Sequence, residues 1–217
     1  MLLEAKGIEK SYNSLSVLKG IDMSIAPAEI VSIVGASGAG KSTLLQILGT
    51  LDSPDKGHVS LSGELYTQMS GKKLSHFRNE YIGFIFQFHN LLPEFTALEN
   101  ICMPAMIGKK DPNQYKKRAE ELMELLAIEH RKDHKPSQMS GGEQQRAAVA
   151  RALINNPKVI FADEPSGNLD SVNAESLHEL FFDLRKELDQ TFVIVTHNNE
   201  FAEMADRKLE MKDGLII

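Results

Sequence analysis

The chain has little with which to cross-link itself. One cysteine, Cys102, stands in 217 residues, so no intrachain disulfide can form and the thiol fits a reducing cytoplasm. It lies among apolar neighbours and reads as a small buried hydrophobe. Long hydrophobic runs are also missing. No segment approaches the ~18 apolar residues of a membrane helix. The longest runs, Ile30–Ala36, Val159–Ala162 and Phe192–Val195, have the length of buried strands. The opening Met1-Leu2-Leu3-Glu4-Ala5-Lys6 is charged too early for a secretory signal. Positive charge is in deficit: 24 Lys and Arg against 30 Asp and Glu leave a net charge of −6, which gives no reason to expect nucleic acid as a partner. No internal repeat or low-complexity stretch stands out.

What remains is an ordinary globular composition, 42% hydrophobic and 25% charged, long enough for one large domain or a core with a subdomain. Leu2–Lys10 and Val17–Ile25 read as strands of an antiparallel sheet. Glu29–Val34 reads as a strand running into a Gly-rich loop and a helix over Lys41–Gly49. Gly57–Ser62 and Tyr81–Phe86 are further strand candidates. The pattern is helical from Thr96 to Ile128, with Tyr115, Ala119, Leu122 and Leu126 on one face, and again over Gly141–Asn155. Strand Lys158–Ala162, helix Asn173–Leu188, strand Thr191–Thr196, a short helix from Asn199 and a strand pair around Asp213-Gly214 follow. Strands alternating with helices predict an α/β fold with a mostly parallel sheet. The expected division is one domain over 1–217: a core of about 1–87 and 156–217, with its antiparallel β part, and an inserted helical subdomain of about 88–155.

Gly35-Ala36-Ser37-Gly38-Ala39-Gly40-Lys41-Ser42 matches G-x-x-x-x-G-K-[ST] between a strand and a helix. The pattern predicts backbone N–H groups wrapped around phosphates, Lys41 on the β- and γ-phosphates and Ser42 on Mg²⁺. Thr43, next in line, is grouped with these phosphate-binding residues. Val159-Ile160-Phe161-Ala162-Asp163-Glu164 is an apolar strand ending in two carboxylates. Beside a phosphate loop, Asp163 is expected to hold Mg²⁺ through water and Glu164 to orient or deprotonate the attacking water. His197 follows a strand at the presumed carboxyl edge of the sheet, where a donor could contact the γ-phosphate.

Other positions read less one-sidedly. Gln87 could touch Mg²⁺ or the lytic water, or be a plain loop glutamine. Tyr12 could stack on adenine or be a packed surface aromatic. The stretch Phe84–Phe95 divides between strand core and an apolar docking loop, Leu91-Leu92-Pro93-Glu94-Phe95. Met139-Ser140-Gly141-Gly142-Glu143 has the Ser-x-x-Glu capping-box spacing, so a helix starts here. Two glycines in a first turn each cost about 1 kcal/mol relative to Ala. They suit the approach of an anion to bare backbone N–H groups.

The phosphate loop, Gln87, Ser140-Gly141-Gly142, Asp163-Glu164, Asp170 and His197 occur in one order. In that order the chain resembles the ATP-binding subunit of ABC transporters, a P-loop NTPase, over essentially its whole length. The resemblance implies ATP and Mg²⁺ as ligands and a second copy of the chain as partner. Two copies would close head to tail on two ATP molecules, with Ser140, Gly141 and Gly142 on the γ-phosphate held by the other copy. It also implies Tyr12 as the adenine-stacking aromatic and Gln87 as the coupling glutamine. Gly167-Asn168-Leu169-Asp170 would form the loop linking the two sites. Phe86–Asn100 and Leu209–Gly214 are similar to the lipoprotein-releasing, LolD-type branch. Macrolide-exporter and cell-division relatives are the alternatives, and a soluble ABC ATPase on ribosomes or DNA is the one from another class.

The implied setting is peripheral, on the cytoplasmic face of the inner membrane, touching the membrane only through integral membrane subunits. Met139, Ser166 and Asn198 depart from the common Leu, Thr and Asp of the family. Because the sequence ends at Ile217, no C-terminal regulatory domain is expected.

Overall fold

The computed structural model describes residues 1–217. Strands β1 (Leu3–Tyr12) and β2 (Leu15–Ile25) form a tight hairpin, so Tyr12 closes a strand rather than lying in a turn. β3 (Ile30–Gly35) leads into helix α1 (Lys41–Leu48). β4 (Lys56–Leu61) and β5 (Glu64–Leu65) complete an antiparallel sheet of order β2-β1-β4-β5. Helix α2 (Gly71–Tyr81) precedes β6 (Ile82–Phe86). This helix is not visible in the hydrophobic pattern, because Phe77 is its one buried residue.

The single helical stretch expected from Thr96 onward is two helices, α3 (Ala97–Ile107) and α4 (Pro112–Leu125). Asp111 caps α4 by accepting from the N–H groups of Asn113 and Gln114, and Pro112 takes the first helical position, where its missing N–H costs nothing. Helix α5 (Gly141–Leu153), strand β7 (Val159–Asp163), helix α6 (Ser171–Leu188), strand β8 (Thr191–Val195) and helix α7 (Asn199–Met204) follow. Strands β9 (Arg207–Lys212) and β10 (Leu215–Ile216) end the chain.

The main sheet has six strands in the order β10-β9-β3-β8-β7-β6. Every pairing in it is parallel except β9 with β10. Its central strands are covered on both faces, so alternate residues enter different cores, as parallel sheets require. Phe192 and Ile194 of β8 join Ile160 and Ala162 of β7 under α3, α5 and α6. Val193 and Val195 join Val31, Ile33 and Phe161 under α1 and the antiparallel sheet. The helical segment shares the first of these cores: Val149, Ala150 and Leu153 of α5 cluster with Ile160 and Ile194 of the sheet.

Candidate functional site

Four parallel strands end side by side, and each delivers a polar segment to the same edge. β3 ends in the loop from Gly35, β8 leads to His197, β7 ends at Asp163-Glu164 and β6 leads to Gln87. Register enforces the alignment, with Ile33 and Asp163 both opposite Val195, and Phe86 opposite Asp163. The carboxyl edge of such a sheet is where α/β ligands bind.

At this edge Gly40 precedes α1 with φ of 101°, a left-handed value that disfavours side chains, and no side chain caps the helix. Its first N–H groups and the positive end of its dipole are therefore free for an anion. The Lys41 side chain is only 6% exposed, and its Nζ donates to the carbonyls of Gly35 and Ala36 at 2.8 and 3.0 Å. Both partners are neutral, which leaves the positive charge available to a phosphate.

Ser42 Oγ donates to Asp163 Oδ1 at 3.2 Å, bringing two oxygen ligands together beside the loop. No cluster of three or more His, Cys, Asp or Glu with metal-holding geometry is present. An all-oxygen pair with room for phosphate and water fits Mg²⁺, which binds through few protein ligands. Burial pushes Asp163 above its ordinary value, against the Ser42 hydrogen bond and the charges of Lys41 and His197.

Glu164 has φ of 48°, unusual for a non-glycine residue, and its N–H donates to Val195 O at 2.9 Å. That turn aims the carboxylate at His197, whose backbone N–H donates to Oε2 at 3.1 Å. His197 Nε2 lies 3.2 Å from Oε1, near enough for an ion pair but outside hydrogen-bond geometry. Oε1 is buried beside that imidazole nitrogen and has no hydrogen-bond partner. Burial raises the Glu164 pKa, opposed by the His197 N–H and charge and assisted by Asp163.

Gln87 exchanges hydrogen bonds with Asn168, Nε2 to Oδ1 at 3.1 Å and Asn168 Nδ2 to Gln87 O at 3.0 Å. Its amide thus engages the loop after Glu164 rather than Ser42 or Asp163. Asp170 of the same loop accepts from Asn173 N–H at 2.9 Å and caps α6, a role not foreseen from the sequence. Tyr12 is 43% exposed and donates its hydroxyl to Asp52 at 2.5 Å, with Lys10 Nζ 5.2 Å above its ring. Thr43 lies beside that hydroxyl, so Tyr12 borders the start of α1.

At α5 the capping box forms as expected: Glu143 N–H donates to Ser140 Oγ at 3.3 Å and Ser140 N–H to Glu143 Oε2 at 2.8 Å. No hydrogen bond joins this segment to the phosphate loop of its own chain. Gly142 has a reason that bare backbone does not supply. A Cβ there would stand 2.6 Å from Asn173 Oδ1, so the Asn173 side chain on α6 would have to shift to admit one. A Cβ on Gly141 would meet nothing closer than Leu169 at 3.7 Å, and there the open backbone reading stands. Asn198 caps α7 by accepting from Phe201 N–H at 2.8 Å, a task Asn and Asp perform equally well.

Two residues escaped the sequence reading. Arg151 of α5 donates to the carbonyls of His89 and Asn90, each at 2.6 Å, holding two left-handed residues just beyond Gln87. His178 of α6 meets Ser166. The available signal was a polar residue set in each apolar stripe.

This loop, the Ser42–Asp163 pair and the adjacent acid on a parallel sheet define a P-loop nucleoside triphosphatase. Residues 18–167 match the family model described as ABC transporter, and the chain belongs to that family. The lipoprotein-releasing system ATP-binding protein LolD of Cytophaga hutchinsonii is 62% identical over 216 residues, covering 100% of this chain and 99% of that protein. Its namesake in Bacteroides fragilis is 57% identical and covers 100% of both chains. The dimeric bacterial ABC transporter cassette MJ0796 superposes with a TM-score of 0.90 at 39% identity, over 99% of this chain and 96% of that one. A post-hydrolysis dimer of the same cassette, bound to ADP and Pi, gives 0.89 at 38% identity over the same shares. The chain is an ATPase by class.

Proposed function

We propose that this chain is the ATP-hydrolysing subunit of a transporter that releases lipoproteins from the inner membrane toward a periplasmic carrier. The observation that carries this reading is 62% identity, over the full length, to a lipoprotein-releasing ATP-binding protein. Two copies act as a head-to-tail pair. In each site the loop Gly35–Gly40, Lys41 and Thr43 hold the phosphates and Tyr12 borders the base. Ser140, Gly141 and Gly142 of the other copy close on the γ-phosphate, and Asp170 lies on the loop between the two sites.

Ser42 and Asp163, with Gln87 once the site closes, hold Mg²⁺, which when bound neutralises phosphate charge. Glu164 accepts a proton from a water molecule. The water oxygen bonds to the γ-phosphorus as the bond to the leaving ADP breaks. The raised pKa of Glu164 and its place at the strand end next to Asp163 support this role. His197 holds Glu164 in place through its backbone N–H on Oε2 and its ring beside Oε1.

No helix of the chain is long and apolar enough to cross a membrane. In the proposed assembly it sits peripherally on the cytoplasmic face and contacts integral membrane subunits. The helical part, about 88–155, moves against the rest of a single ABC ATPase domain spanning 1–217. Phe88 is 71% exposed, and Leu92 and Phe95 are each 40% exposed. Asn90 of the same stretch lines a groove of about 470 Å³ together with Phe84, Phe86, Ile107 and Arg151. This apolar surface is the proposed seat of the membrane subunits' cytoplasmic loops.

The test is release. The chain is reconstituted with its membrane subunits in proteoliposomes carrying an acylated lipoprotein, and ATP is added with a soluble carrier. ATP-dependent transfer of lipoprotein to the soluble fraction is expected, and Glu164→Gln should stop it. Brisk ATP hydrolysis without transfer would remove the lipoprotein reading.

A further inference from the structure

One buried histidine sits between the two segments that carry Glu164 and His197. His178 lies on α6 and is 8% exposed. Its Nε2 is 3.0 Å from Ser166 Oγ, in the turn that follows Glu164. That turn is closed by Gly167 N–H on Glu164 O at 3.0 Å and by Leu169 N–H on Ser166 O at 3.1 Å. The face of the same ring stacks on Phe201 of α7, with centroids 4.3 Å apart. Phe201 in turn is bound through its N–H to Asn198, the neighbour of His197. A single side chain therefore touches the turn that sets Glu164 and the helix that anchors His197.

We infer that His178 and Ser166 form a positioning pair, which holds the left-handed Glu164 turn at a fixed distance from His197. The inference rests on the reading of Glu164 as proton acceptor. The strained φ at Glu164 needs support from its surroundings; Asn168 ties the far side of that turn to Gln87, and the Ser166 hydroxyl ties its near side to α6. Burial lowers the pKa of the imidazole and favours the neutral ring, so the bond to Ser166 joins two uncharged groups. Neither residue is assigned a contact with ATP or Mg²⁺, so the pair acts through Glu164.

The test uses the full chain with ATP and Mg²⁺, comparing Ser166→Ala, His178→Leu and the double variant. A misplacement of a fraction of an ångström should lower kcat by about tenfold, with KM for ATP and nucleotide affinity within about twofold of wild type. The double variant should be no slower than either single variant, because each already breaks the same link. Ser166→Thr and His178→Gln keep a hydroxyl and a polar amide, and should recover most of the rate. Should His178→Leu fail to fold, Ser166→Ala with its Thr rescue decides alone. Unchanged kcat in folded Ser166→Ala, or multiplicative losses in the double variant, would overturn the pair. Glu164→Gln measured alongside separates the two claims. If it abolishes hydrolysis while the pair fails these criteria, only the positioning inference falls. If it hydrolyses ATP normally, both fall.

Discussion

Helices α1 and α5 both start at glycines, and the two starts are built in opposite ways. Helix α1 begins at left-handed Gly40 with no side-chain cap and no acid in its first turn. Helix α5 begins at Ser140 with a complete capping box and Glu143 in its first turn. Burial works against the Glu143 charge. Hydrogen bonds from Ser140, Arg131 and His130 overcome that cost and hold its pKa at about 2. The positive end of α5 thus already faces a carboxylate of its own chain, while that of α1 faces nothing. In the proposed reading α1 carries the main anion site. What α5 offers is an exposed Ser140 and an open Gly141 backbone, suited to finish a site whose main charge lies elsewhere. The difference is the physical argument for the proposed head-to-tail pair.

The sharpest break of this comparison is Ser140→Arg. It should leave nucleotide binding by one chain within about twofold, because α1 is untouched, yet reduce hydrolysis by about 10²-fold or more. Loss of nucleotide binding in titrations with the monomer would mean that α5 serves its own site. Next comes Glu164→Gln, expected to lose about 10²–10⁴-fold in rate while ATP with Mg²⁺ gathers the chain into dimers on gel filtration. A monomer peak under those conditions would count against the shared site.

The neighbouring glycines should then part company. Gly141→Ala has room for its methyl and should gain up to about 1 kcal/mol of stability from helix propensity, at the expense of hydrolysis by the pair. Gly142→Ala must displace the Asn173 side chain, which also bonds Asp170 Oδ2 at 2.7 Å. It should cost about 1 kcal/mol by denaturant titration through the disturbed α6 cap, and Asn173→Ala should relieve part of that cost.

Two pH effects are smaller. Glu164 works deprotonated and its pKa is raised by burial, so hydrolysis should fall on acidification at a pH above the ordinary 4.5. His197→Ala removes a charge that lowers this pKa, and the acid limb of the rate profile should move to higher pH. Glu143 has its pKa depressed from 4.5 to about 2. Its stabilising contribution is complete above about 4.5 and is lost as pH falls toward about 2. Glu143→Gln should flatten that part of the stability curve, followed by circular dichroism.

Legibility followed the distance between partners. Ser140 and Glu143 are three residues apart, so their mutual cap could be read from spacing and is present. Lys41 and Ser42 sit in one continuous motif and lie at one strand end. Helix α2 gave no signal, because a surface helix with one buried residue has no apolar period to read. The break between α3 and α4 is written in Gly108 and Asp111-Pro112, a C-cap glycine followed by an N-cap and its proline. Gly142 was assigned a role facing an unseen phosphate. Its close neighbour Asn173, on another helix, could not be inferred from sequence. Arg151 and His178 were overlooked for the same reason: their partners lie 61 and 12 residues away, and no local rule predicts such pairings.

By itself the sequence determined the local chemistry: a loop with glycines where N–H groups must turn inward, an apolar strand that ends in carboxylates, and a helix that starts on Ser-Gly-Gly-Glu. Backbone preference and side-chain type decide these within a few residues. Only the tertiary structure decided that β8 lies between β3 and β7, so that His197 stands beside Glu164 and Ser42 meets Asp163. It alone showed that the start of α5 has no hydrogen bond to the loop of its own chain. Strand order and helix placement are set by which apolar faces can be buried together, a property of the whole core that no short segment contains.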